Sequence, residues 1–304
     1  MESLQETKLN TFDFQYKNPH EYKFPEGKVK VVDILPIKFS DSTPIMLAPG
    51  WSEDPSAYKD SIKLMSGEGR RVLSVRYPWR VSKAEDSGFP QVELQKAKLL
   101  LDVLHAKGIR RADVIAHSEG AINALIAAMI EPSMFRNITL DKPAGLSGKG
   151  SKIGLINRFL SLMKQETKLR PWLSTDPNAA LASGLRVAHY IAGNPLKVLK
   201  ELDTMTSFDI KELIQDLREK GIMFSVIAGI DDPLFPVREQ LKALQEKFET
   251  RDKTPLEGFY SVRDPDLRYD LGHNALSLRP EKHTALALNA LDNLQWKRER
   301  IEGK

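Results

Sequence analysis

Ala112-Asp113-Val114-Ile115-Ala116-His117-Ser118-Glu119-Gly120-Ala121-Ile122-Asn123-Ala124-Leu125 is the stretch on which the fold turns. An apolar, β-branched run ends at His117, and a helix-forming run begins almost at once. The turn between them carries Ser118 and Gly120. A Ser-x-Gly triplet arises about once by chance in a chain of this size, so the triplet alone carries little. Its position between a buried strand and a helix gives it meaning. A sharp turn there lifts a serine hydroxyl above the sheet edge, at the N-terminus of the helix. Strand and helix backbones must approach closely, which needs small neighbours. Gly120 supplies one, and Ala116 stands where a second glycine is more usual.

Outward from this turn the chain alternates two kinds of segment. Lys28–Leu35, Pro44–Leu47, Arg71–Val75, Ala112–Ala116, Arg136–Leu140, Ile222–Ala228 and Phe259–Val262 read as strands. Gln91–Lys107, Lys211–Lys220, Val237–Phe248 and Glu281–Trp296 read as helices, the first two stopping at Gly108 and Gly221. Strands alternating with helices predict an α/β fold with a mainly parallel sheet covered on both faces. Pro36 breaks the first strand run, which suits an antiparallel edge hairpin. From Gly145 to Phe208 no strand run appears. Ile153–Met163, Asn178–Ile191 and Pro195–Leu202 read as helices there. The predicted division is therefore a core of residues 1–144 and 209–304, with a helical cap at 145–208.

Composition narrows the functional classes. The chain has 304 residues, 41% of them hydrophobic, too rich for a disordered protein. It has no cysteine, which excludes disulfides, a thiolate nucleophile and cysteine metal sites. The 45 basic and 41 acidic residues leave a net charge of +4, too small to imply nucleic-acid binding. No clustered His/Asp/Glu metal pattern and no glycine-rich nucleotide loop is present, so no cofactor is expected. No run approaches the roughly 20 apolar residues of a membrane span. A cytoplasmic protein is the expectation.

The 112–125 segment resembles the nucleophile elbow of the α/β-hydrolase superfamily, and the resemblance extends along most of the chain. It implies an acid and a histidine following the serine, in that order. Ile222–Gly229 leads into Ile230-Asp231-Asp232-Pro233-Leu234-Phe235-Pro236, which is similar to the superfamily's acid turn with Asp232 at the acid position. Asp231 lies one step off, and Asp141, after an earlier strand, is a rival. Leu271-Gly272-His273-Asn274 precedes the last helix, so the resemblance puts the histidine at His273. His20, His105, His189 and His283 fit less well, and His117 should point away from Ser118. The resemblance further implies an oxyanion hole from the backbone N–H of Glu119 and of Trp51, the latter in Pro49-Gly50-Trp51 after an early strand. For Glu119 itself, a carboxylate favoured by the helix dipole suffices.

A serine nucleophile implies an ester hydrolase acting through an acyl-enzyme on small-molecule esters, with a hydrophobic acyl group expected. Thioesterase, amidase or aminopeptidase and C–C hydrolase chemistry stay open, as does a non-catalytic ligand-binding protein on this fold. Trp51, Phe159, Leu162, Met163 and Trp172 are the candidate pocket walls. The predicted cap is basic: Lys142, Lys149, Lys152, Arg158, Lys164, Lys168 and Arg170 face only Glu166 in that stretch. A solvated helix face explains this. A sharper expectation is that the cap steers anionic or membrane-associated substrates.

Overall fold

A computed structural model of the chain describes residues 12–78, 88–148, 150–173 (165–173 by their backbone), 187–248, 256–262 and 272–303. The strands are His20–Phe24 (β1), Gly27–Ile34 (β2), Asp41–Ala48 (β3), Arg70–Arg76 (β4), Ala112–His117 (β5), Phe135–Asp141 (β6), Met223–Gly229 (β7) and Gly258–Val262 (β8). They form one eight-stranded sheet in the order β1-β2-β4-β3-β5-β6-β7-β8. From β4 to β8 every pairing is parallel. The helices that concern the site are Lys59–Gly67 (α1), Gln91–Ala106 (α2), Gly120–Ile130 (α3), Lys152–Leu173 (α4), Pro195–Ser207 (α5), Lys211–Glu219 (α6), Val237–Phe248 (α7) and Pro280–Glu302 (α8).

Alternation along the central strands sorts the core into two layers. On β3, Ile45 and Leu47 pack with Ile62 and Met65 of α1 and Leu288 and Leu291 of α8. Met46 and Ala48 face the other way, with Leu99 and Val103 of α2, Ile122 and Leu125 of α3, and Leu217 of α6. Both faces of β5 are buried throughout, including Asp113, which pairs with Arg70 and Arg136. Each fully buried aliphatic side chain adds roughly 1.5–3 kcal/mol of transfer free energy. Gly108 (φ 62°) and Gly221 (φ 85°) take left-handed conformations just past α2 and α6, as the sequence predicts.

The antiparallel edge lies where it is expected, but its construction differs. The run 28–35 becomes β2, paired antiparallel to both β1 and β4, and β1 forms the rim. The hairpin partner thus comes from upstream of β2 rather than from beyond Pro36. In β3, Pro44 lies where the register with β4 shifts, between Asp41 and Ile45. A residue without an N–H is tolerated at such an irregularity.

Between β6 and β7 the chain forms α4, a helical stretch at 187–193, α5 and α6. Of the expected helix Asn178–Ile191, residues 178–186 lie outside the described residues. Most of the long loop at 263–272 does so too. Among the described residues no helix is long and apolar enough to cross a membrane.

Candidate active site

Ser118 sits between β5 and α3 with φ 54°, in the left-handed region that non-glycine residues seldom occupy. Such a conformation costs on the order of 1–3 kcal/mol and persists only where surrounding bonds impose it. Here the Ser118 N–H donates to Asp141 O (3.0 Å), and its carbonyl accepts from Ala121 and Ala144 (both 3.1 Å). Ala116 pairs in register with Ala48, so two small residues lie under the start of α3. A Cβ added to Gly120 would lie 2.6 Å from Pro49 O and closer still to Ala48 O.

Asp232 and His273 meet this serine. His273 Nε2 lies 2.8 Å from Ser118 Oγ, and its Nδ1 lies 2.9 Å from Asp232 Oδ2. An ionised carboxylate only accepts, so Nδ1 carries the proton and Nε2 is left to accept from the serine hydroxyl. Asp232 is buried and takes further bonds at Oδ1 from the Leu234 N–H (2.8 Å) and Phe235 N–H (3.3 Å). Burial pushes its acidity down, but the His273 ring, its hydrogen bond and the charge of Lys142 outweigh this and hold the carboxyl below its ordinary value. Asp141, the rival acid, pairs instead with Lys142 (3.2 Å). Phe235 packs on the His273 ring, 5.3 Å between centroids.

The loop after β3 approaches from the opposite side. The Gly50 N–H is occupied by Tyr58 Oη (3.1 Å) and Glu53 Oε2 (3.2 Å). Among the described residues, the next N–H, that of Trp51, meets no acceptor, and neither does the N–H of Glu119. The Trp51 ring packs edge-on against Phe159 (5.3 Å) and Tyr190 (5.8 Å), and its Nε1 donates to Glu201 of α5 (2.8 Å).

Two buried polar groups surround these residues without any sign in the hydropathy pattern. Glu119 is fully buried and bonds Lys96 of α2 at 2.5 Å, so the helix dipole is not its whole explanation. Lys96 also pairs with Glu201 at 2.8 Å, and the two carboxylates together drive its acidity down. Glu93, one turn away, is crowded by burial and the Glu119 charge, which push its pKa up to about 8. On the other side, His117 does point away from Ser118. Its ring contacts Glu53, Tyr58 and the His273 carbonyl.

The expected pocket walls divide. Phe159 packs on Trp51, while Leu162 is buried in the core and Met163 is half-buried. The Trp172 side chain lies outside the described residues. A cavity of about 330 Å³ beside the acid turn is lined not by Trp51, Phe159, Leu162 or Met163 but, among the described residues, by Gly145, Ser147, Leu155, Arg158, Leu234 and Phe235 with others. The basic stretch is also less open than its composition suggests. Lys142 is fully buried against Asp141, Lys152 pairs with Asp203, and Arg158 pairs with Glu239 (2.7 Å). Lys164 is exposed, and the side chains of Lys149, Lys168 and Arg170 lie outside the described residues.

No protein-family model matches the chain, and no curated sequence does either. Solved structures do match over nearly its whole length. A membrane phospholipase A described as a bacterial virulence factor is 15% identical, with a TM-score of 0.64 over 96% of this chain and 92% of its own. A carboxylesterase structure from Nitrososphaera gargenis is 17% identical, with a TM-score of 0.61 over 91% of this chain and 100% of that one. A thermophilic esterase from Thermogutta terrifontis is 15% identical, with a TM-score of 0.60 over 91% and 99%. Identities this low speak for architecture alone, and with the strand order and crossovers above they establish that the chain has the α/β-hydrolase fold.

Proposed function

We propose that the protein is a serine hydrolase of small carboxylic esters, with Ser118 as nucleophile, His273 as general base and Asp232 as the acid that orients it. The observation that carries this reading is the Ser118–His273–Asp232 relay, with contacts of 2.8 and 2.9 Å, at a strained strand-to-helix turn. The esterase and phospholipase names of the structural neighbours agree with it.

In this mechanism Ser118 Oγ attacks the ester carbonyl carbon as its proton passes to His273 Nε2. The carbonyl oxygen becomes an oxyanion, for which the Trp51 and Glu119 N–H groups are the donors. Preorganised donors of this kind are worth about 3–4 kcal/mol each. The C–O bond to the alcohol then breaks, and the proton on Nε2 goes to the leaving oxygen. Water attacks the acyl-enzyme with its proton again going to Nε2. Collapse releases the acid and returns the proton to Ser118. Asp232 stabilises the transient imidazolium and fixes the tautomer.

Residues 145–208 act as a cap in this reading. Phe159 and Tyr190 rest on Trp51, and Glu201 holds its indole, so this segment and the oxyanion loop share one set of contacts. A panel of nitrophenyl esters from acetate to palmitate, with thioester and anilide controls, tests the reading. Ester turnover should dominate and fall at least about 10³-fold in Ser118→Ala. Turnover that survives this substitution would defeat it.

A further inference from the structure

His117 is a buried titratable group that the reaction above does not use. Its Nε2 lies 2.9 Å from the carbonyl oxygen of His273. A carbonyl only accepts, so Nε2 carries a proton. Its Nδ1 lies 2.9 Å from Glu53 Oε2 and 2.8 Å from Tyr58 Oη. The same Glu53 oxygen takes the Tyr58 hydroxyl and the Gly50 N–H. This arrangement suits an ionised Glu53, and opposite an ionised carboxylate the facing nitrogen is protonated as well. Both ring nitrogens then donate, which makes a cation of a ring that is only 1% exposed.

We infer that His117, as a buried imidazolium paired with Glu53, is a positioning residue that locks the oxyanion loop to the loop carrying His273. The inference rests on the reading of Ser118, His273 and Asp232 as the reacting groups. Its geometry is that of a clamp: one ring bonds a carbonyl 156 residues further along the chain and a carboxylate 64 residues back. At one end a charge-assisted donor fixes the His273 backbone, so the ring that must reach Ser118 has a fixed origin. At the other end Glu53 takes the Gly50 N–H, which sets the peptide preceding Trp51. Gly50 shows how tight this joint is, because a Cβ there would lie 2.5 Å from Glu53 Oε2 and 2.9 Å from His117 Nδ1.

Groups from three elements bear on the charge. Burial disfavours the cation, but Glu53 opposes this through its charge and its bond, Asp141 at the end of β6 reinforces Glu53, and Lys142 works against it; the Tyr58 hydroxyl and the His273 ring, 4.9 Å away between centroids, also face it. The balance lies above the ordinary histidine value. Glu53 shows the converse: burial favours its neutral form, and His117 with Tyr58 overrules this and holds it ionised. The balance of charges thus favours the paired state, and the clamp loosens as rising pH takes the proton from the ring.

Nitrogen-15 NMR of histidine-labelled protein reads the charge directly. One ring should be doubly protonated at pH 7, above the ordinary histidine pKa of about 6.5, and its signal should vanish in His117→Gln. In Glu53→Gln, which leaves the ring in place, it should titrate at lower pH. A His117 ring that is singly protonated at pH 7 overturns the inference. Kinetics read the positioning. With nitrophenyl acetate, His117→Leu should lower kcat about a hundredfold and His117→Gln, which keeps a donor for His273 O, about tenfold, with KM within about twofold in each. Unchanged kcat in His117→Leu, or equal losses in the two, would refute the positioning role. Should His117→Leu not fold, Glu53→Gln takes its place, with kcat falling at constant KM. Wild-type protein that neither turns over esters nor reacts with a fluorophosphonate would end the hydrolase reading, and the NMR result would stand apart from it.

Discussion

Gly120→Ala puts a single methyl at the joint between the Ser118 turn and the loop after β3. Gly120 has no left-handed φ, so alanine suits its backbone, and any penalty is steric. The added Cβ would meet Pro49 O at 2.6 Å, with Ala48 O closer still and Ala48 C at 2.9 Å. Carbon and carbonyl oxygen rest near 3.3 Å or beyond, so β3's end or the start of α3 must retreat by roughly half an ångström or more. These neighbours are backbone and cannot rotate aside. Overpacking of this kind costs about 1–3 kcal/mol, occasionally more. For a domain of this size 3 kcal/mol lowers Tm by roughly 6 °C. The same retreat moves Pro49 and the Trp51 N–H away from Ser118, so kcat for nitrophenyl acetate should fall about tenfold or more. Gly67→Ala is the control. Gly67 ends α1 with nothing within 4 Å of an added Cβ, and that variant should keep or slightly raise Tm. Differential scanning calorimetry and steady-state kinetics on both variants decide it. If Gly120→Ala matches Gly67→Ala in Tm and kcat, the close approach at this joint is wrong.

Three further outcomes follow from the buried charges. Glu201→Ala strands Lys96 with Glu119 alone and orphans the Trp51 indole N–H. Breaking one partner out of a buried pair costs about 3–5 kcal/mol, so thermal melts should show a Tm lower by roughly 6–10 °C. Glu93 keeps its proton in the folded state up to a pKa of about 8, far above the ordinary glutamate value of about 4.3, so its contribution is complete only below about pH 4 and is lost progressively from there to about pH 8. Glu93→Gln, with Thr204 still bonded, should melt close to wild type at pH 4 and increasingly above it as pH rises to 9. Asp232 has its folded pKa below the ordinary value, so its contribution is present above about pH 4 and lost as pH falls further. Asp232→Asn should flatten that acid loss in urea titrations and lower kcat on the order of 10³–10⁴-fold.

The legible parts of this chain were the local ones. β5, the serine turn and α3 form one contiguous stretch whose apolar run and small residues state their geometry directly. The stop of α2 at Gly108 is likewise a matter of neighbours in sequence. β1 left a faint trace because its five residues, HEYKF, pair on one side only and expose alternate positions. Lys96 and Glu201 were illegible for a different reason. Hydropathy assigns charges to solvent, and only a partner distant in sequence makes their burial tolerable. Lys96 meets Glu119 23 residues on, and Trp51 meets Glu201 150 residues on. The same holds for Glu53 and Tyr58, which follow Trp51 with nothing in the sequence to mark them and meet His117 only in the fold. The basic stretch after β6 changes most. Lys152 and Arg158 find Asp203 and Glu239 from outside that stretch, so local net charge overstated the free charge.

Reaction with a fluorophosphonate, followed by peptide mapping, tests the central assignment most directly. The account predicts one phosphonyl group per chain, on Ser118, formed at least about 10²-fold more slowly in His273→Ala because the serine then lacks its base. Label on another residue, or folded wild-type protein left unlabelled, would contradict it.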